Sequence, residues 1–132
     1  MDYHELIKKA IAVKENAYVP YSHFRVGAAL LTQSGKVFTG CNVENASYSP
    51  TICAESTAIV KAVSEGEREF SAIAVVTDTE DFASPCGVCR QRIFEFGGDI
   101  ELIMANRDGE YKVYKISDLL PEGFNQESLK KG

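Results

Sequence analysis

No apolar stretch in these 132 residues approaches the ~20 needed to cross a bilayer, which excludes a helical membrane span and a membrane partner. The opening segment MDYHELIKKAIAVKENA is charged throughout and lacks an apolar h-region, so no secretory signal is expected. Basic runs are missing too: Lys130–Lys131 is only a pair of charges at a tail, and the formal net charge is −5. A phosphate-binding surface needs clustered lysine and arginine, so a nucleic-acid polymer is excluded as a partner. Repeats, low-complexity tracts and linkers are absent. Only four cysteines occur, Cys41, Cys53, Cys86 and Cys89. Without an export signal, the expected setting is a reducing cytoplasm, where they read as ligands or buried thiols rather than disulfides. Hydrophobic residues make up 45% and charged residues 25% of the chain, enough apolar material for one core and one domain over residues 1–132.

Periodicity supplies the elements. Tyr3, Leu6, Ile7, Ala10, Ile11 and Val13 are spaced as one helix face within residues 2–18, and Pro20 ends that helix or lies just beyond it. Residues 24–31 and 36–41 flank Gln33-Ser34-Gly35 as a hairpin. A polar loop over 42–51 precedes an apolar helix over 52–64 that Gly66 closes. FSAIAVVT, residues 70–77, is a short apolar run of buried-strand type. A further helix is predicted from Pro85-Cys86 to Gly97-Gly98. Strands follow at 100–105 and 111–116, and a short helical turn at 117–121 closes the order. Helices interleaved with strands predict an α/β fold, with helices packed on a mixed sheet.

The chemistry concentrates in Cys53-Ala54-Glu55 and Pro85-Cys86-Gly87-Val88-Cys89. Cys86 and Cys89 are three apart and project from one helix face. They fall in a first helical turn, where free N–H groups and the dipole favour thiolate, and Cys53 opens the other helix in the same way. Two helix N-termini side by side bring three thiolates to one point. Three protein ligands with one open position is the catalytic arrangement for zinc. Glu55, two residues after Cys53, is placed to take a proton from water in the fourth position and return it to a substrate. Two rival readings remain open at this point. A C-x-x-C pair also serves structural or redox roles, and Cys41 is available as a fourth ligand of a closed zinc site.

The motifs resemble those of the small homotetrameric cytidine deaminases. The likeness runs through Tyr18-Val19-Pro20-Tyr21-Ser22-His23-Phe24-Arg25-Val26-Gly27-Ala28-Ala29, Gly40-Cys41-Asn42-Val43-Glu44-Asn45-Ala46, Cys53-Ala54-Glu55, Ser84-Pro85-Cys86-Gly87-Val88-Cys89-Arg90-Gln91 and Leu119-Leu120-Pro121. The resemblance implies a three-layer α/β domain, a mixed five-stranded sheet with helices on both faces. It implies one Zn²⁺ per chain on Cys53, Cys86 and Cys89, with Glu55 shuttling protons. Asn42 and Glu44 would hydrogen-bond a ribose, and Phe24 would pack against the base. Ala54 would touch substrate, and Ala46, Tyr48 and Phe124 would close the pocket of neighbouring subunits in a homotetramer. The implied reaction is hydrolysis of cytidine and 2′-deoxycytidine to the uridines and ammonia, in pyrimidine salvage.

One departure stands out. The family commonly has arginine directly after the glutamate, and this chain has Ser56. Three thiolates on Zn²⁺ leave a net −1 centre, and a serine supplies no charge to offset it. Helix dipoles, or Arg90 beside Cys89, are the expected substitutes. Blasticidin S deaminases also lack that arginine, so another cytosine-like substrate, including an N4-substituted cytidine, is the runner-up. A non-catalytic zinc-stabilised domain is the alternative of a different class.

Overall fold

Asp2 starts the first helix by accepting the Glu5 N–H on its carboxylate at 2.8 Å, a side-chain N-cap. That helix, α1 (Tyr3–Lys14), buries Leu6, Ile7 and Ala10, and each of the two larger side chains stabilises the fold by about 1.5–3 kcal/mol. The computed structural model describes residues 2–124 and 126. After α1 come β1 (Val26–Thr32), β2 (Val37–Cys41), α2 (Ala54–Ser64), β3 (Phe70–Thr77), α3 (Gly87–Phe94), β4 (Glu101–Ala105), β5 (Tyr111–Lys115) and the single turn α4 (Ile116–Leu119).

The strands form one mixed sheet in the order β2-β1-β3-β4-β5. β1 runs antiparallel to β2 and β3, β4 runs antiparallel to β5, and β3/β4 is the parallel pair that α3 crosses between. Alternation along the strands splits the core into two layers. Ala28, Leu30, Ile73 and Val75 meet α2 and α3 on one face, whereas Ala29, Ala72, Ala74 and Val76 meet α1 on the other. β3 is covered on both faces, which is why its sequence is apolar without a break from Ala72 to Val76 rather than alternating. Two glycines set how closely helices approach. A Cβ at Gly27 would lie 2.0 Å from the Ala10 carbonyl oxygen of α1, and one at Gly40 would lie 2.5 Å from the Ala54 carbonyl oxygen of α2.

The expected three-layer architecture is observed, with local differences at element ends. The first helix stops at Lys14 rather than near residue 18, because Tyr18 bonds across to Asn42 and Glu44 instead. β1 begins at Val26 rather than Phe24: the Phe24 carbonyl accepts from Asn42 Nδ2, and His23 before it has φ +59°. α2 begins at Ala54 because Ile52 pairs with Val43 in a short antiparallel bridge. Among the described residues no helix is long and apolar enough to cross a membrane.

Candidate functional site

The starts of α2 and α3 meet on the same face of the sheet. Cys53 and Cys86 are their N-cap residues, both in extended conformation, and neither side chain makes a capping hydrogen bond. Cys89 is the third residue of α3 and is fully buried. The three sulfurs lie within 4.8 Å of one another, and Cys53 Sγ and Cys86 Sγ are 4.0 Å apart. Zn–S bonds of about 2.3 Å at tetrahedral angles place sulfurs roughly 3.8 Å apart, so the donors fit zinc in type and spacing. Cys41, at the end of β2, stands outside the cluster, and among the described residues no fourth cysteine, histidine or carboxylate completes it.

The electrostatics ask for a cation. Interaction with Cys89 lowers the Cys53 thiol, against burial and the neighbouring Glu55 charge. Cys89 is pushed far above the ordinary thiol range, first by Cys53 and then by burial and Glu55; the Ser56 hydroxyl pulls the other way. Positive charge supplied between Cys53 and Cys89 would favour thiolate at both. Glu55 is itself buried, and burial raises its carboxyl above the usual carboxylate range.

A cavity of about 370 Å³ opens onto this cluster, lined by Cys53, Cys86, Glu55, Ala54, Asn42 and Phe24, with the end of β3 and the Thr79–Ser84 loop as its far wall. An adjoining cavity of about 450 Å³, sharing Thr51, is lined by Glu44, Tyr48, Tyr21, Ser22 and Asn45. The six expected residues around the first cavity are thus brought together, and Glu44 and Tyr48 lie next door. Ala46 is exposed on the intervening loop and lines neither cavity. Phe124 lies elsewhere, 58% exposed, with its carbonyl accepting from Gln91 Nε2 at 2.6 Å.

Asn42 and Glu44 also have structural work. Asn42 Oδ1 accepts the Val26 N–H at 2.9 Å while its amide donates to the Phe24 carbonyl at 2.8 Å. Glu44 accepts from the Ser22 hydroxyl and from the backbone N–H groups of Tyr21 and Ser22, and these bonds, the hydroxyl's above all, hold its carboxyl below the usual range. These bonds hold the cavity rim in shape, leaving further lone pairs and one amide proton for a ligand.

Arg90 does not offset the sulfur charge as expected. Its guanidinium is committed to the Pro85 and Leu119 carbonyls and to Ser84 Oγ. The arginine that does reach the cluster's edge is Arg92, which donates to Ser56 Oγ at 2.5 Å, and Ser56 Oγ lies 3.3 Å from Cys89 Sγ. Sequence reasoning missed it, although Arg92 follows Cys89 by three and so shares its helix face.

Residues 1–105 match the family model described as the cytidine and deoxycytidylate deaminase zinc-binding region. The chain is 50% identical over 130 residues to a cytidine deaminase of Sporosarcina psychrophila, covering 98% of this chain and 96% of that protein. A cytidine deaminase of Halalkalibacterium halodurans is likewise 50% identical over 130 residues, covering 98% of each. The crystal structure of cytidine deaminase from Burkholderia pseudomallei superposes with a TM-score of 0.91 at 51% identity, over 94% of this chain and 100% of that one.

Proposed function

The chain belongs to the cytidine and deoxycytidylate deaminase family, and on that premise we propose that it hydrolyses cytidine and 2′-deoxycytidine to the corresponding uridines and ammonia. The observation that carries this reading is the convergence of three sulfurs beside a buried carboxyl, with Cys53, Cys86 and Glu55 lining a cavity of about 370 Å³. Cys53, Cys86 and Cys89 hold the zinc, which when bound supplies a Lewis acid that makes water a nucleophile near neutral pH.

Glu55 handles the protons. As the water oxygen bonds to C4 of the base, Glu55 accepts a proton from it and passes that proton to ring N3. A second transfer goes to the exocyclic nitrogen, the C4–N bond breaks, and ammonia leaves. Water and cytidine in, uridine and ammonia out, the atoms balance with no other reactant. The raised Glu55 carboxyl suits a group that must both accept and donate. Phe24 packs against the base, Ala54 lines the base end, and Asn42 and Glu44 address the ribose, the last from the adjoining cavity.

A homotetramer follows in the same reading. Tyr48 is 75% exposed and Phe124 is exposed and lines neither cavity, so both, with Ala46, are available to close pockets on neighbouring copies. Four free cysteines suit the reducing cytoplasm and a role in recovering pyrimidine nucleosides. The test is direct. Purified protein should contain one zinc per chain and lower the ultraviolet absorbance of cytidine, with blasticidin S as the comparison substrate. Glu55→Ala should keep its zinc and lose at least ~10²-fold in kcat/KM. Full activity in that variant, or a parent that turns over only blasticidin S, would refute the reading.

A further inference from the structure

Arg92 and Ser56 form a chain that ends on a metal ligand. Ser56 is completely buried on α2. A guanidinium can only donate, so Ser56 Oγ must accept from Arg92 Nη1 at 2.5 Å. The hydroxyl has one proton, and that acceptance leaves it free to point at Cys89 Sγ, 3.3 Å away. Cys89 therefore stands as acceptor, the state a metal ligand requires.

The charge of Arg92 is also unspent. Among the described residues no carboxylate lies within ion-pairing distance of it. Its chain neighbour Arg90 is occupied by two carbonyls and a serine. Three thiolates around a divalent ion leave one excess negative charge, and Cys89 is the ligand from which water is wholly excluded. Charge there is screened least, so a nearby cation counts most.

We propose that Arg92 is a positioning residue of the metal centre, which through Ser56 orients Cys89 Sγ and sets a positive charge against the excess negative charge of the sulfurs, thereby strengthening zinc retention. The inference rests on the zinc deaminase reading above. Partners one step removed from a metal typically change its affinity 10–100-fold when removed, because they orient the ligand and tune its charge.

The experiment compares the full-length, zinc-loaded parent with Arg92→Gln, Arg92→Lys, Ser56→Ala and the Ser56→Ala/Arg92→Gln double variant. Zinc transfer to a chromogenic chelator gives relative affinity, and thermal melting of the metal-free proteins reports folding. Arg92→Gln and Ser56→Ala should each weaken zinc binding about 10–100-fold, the double variant no more than the worse single, and Arg92→Lys should recover much of the loss. Metal-free melting of Arg92→Gln should match the parent. The proposal is overturned if Arg92→Gln holds zinc as the parent does, if the two losses multiply, if lysine rescues nothing, or if metal-free Arg92→Gln melts much earlier. A parent without zinc or without activity on cytidine would instead overturn the underlying deaminase reading. A loaded, active parent beside an unaltered Arg92→Gln overturns the relay alone.

Discussion

Alanine at Gly40 tests whether the seating of α2 on the sheet sets the position of Cys53. A Cβ there would lie 2.5 Å from both the Ala54 carbonyl oxygen and the Ala58 nitrogen, and 2.9 Å from Thr57 Cβ. Two of the three are backbone atoms, so no rotamer change relieves them. The helix must retreat by roughly 0.9 Å to reach ordinary contact at 3.4 Å. Zinc–ligand distances tolerate about 0.2 Å, so the displacement dominates unless the sheet edge yields instead. Overpacking alone should cost about 1–3 kcal/mol of stability. Moving Cys53 and Glu55 by such a distance should lower kcat/KM about 10²-fold and release zinc. Gly27→Ala is the control. Its Cβ meets α1 at 2.0 Å on the opposite face, so it should destabilise at least as much. It should nevertheless leave zinc content and kcat/KM per folded molecule within about twofold, because α1 carries no group of the site. Melting, metal analysis and initial rates on cytidine read all three quantities. A Gly40→Ala protein that melts early yet keeps its zinc and its kcat/KM would refute the argument, as would equal loss of activity in Gly27→Ala.

Two further predictions concern the frame and the assembly. Asp78 pairs with Arg25 and the buried Lys14, both at 2.8 Å, and these partners, Arg25 first, lower its carboxyl to about 2. A carboxyl lowered on folding stabilises above its ordinary range and loses that contribution as pH falls toward its folded value. Asp78→Asn should therefore cost about 1 kcal/mol at pH 7 after solvent screening, with the gap to the parent closing between about pH 4 and pH 2 in denaturant titrations; a constant gap would contradict the pairing. Tyr48→Ala and Phe124→Ala should each raise KM for cytidine about tenfold without loss of zinc, if these exposed rings close neighbouring pockets. A parent that sediments as a monomer would contradict that assembly.

Local chemistry was legible in the sequence wherever spacing along one element encoded it. Cys86, Cys89, Cys53 and Glu55 could be placed because their spacing and neighbours mark two helix starts, although Cys86 proves to be the extended N-cap of α3 rather than a residue of its first turn. The apolar run within 70–77 revealed β3, since a strand covered on both sides has no polar face to display. What could not be read was pairing between distant segments. Phe24 leaves β1 because an amide eighteen residues later takes its carbonyl. Adjacency to Cys89 singles out Arg90 as the arginine to serve the sulfurs, yet adjacent helix residues diverge by about 100°. The neighbour three positions on, not one, shares the ligand's side of the helix, and only the packing of α2 against α3 shows that Ser56 bridges the remaining gap.

Cys53 and Cys86 leave their own helices uncapped and face each other across a separation of 33 residues. An ion gripped by both closes that length of chain much as a covalent bridge would. A closure of this size removes unfolded-state freedom worth about 3–4 kcal/mol. The metal would then be a buckle as well as a reagent, fastening α2, β3 and the approach to α3 inside one loop, so chelation would loosen the architecture as it removes reactivity.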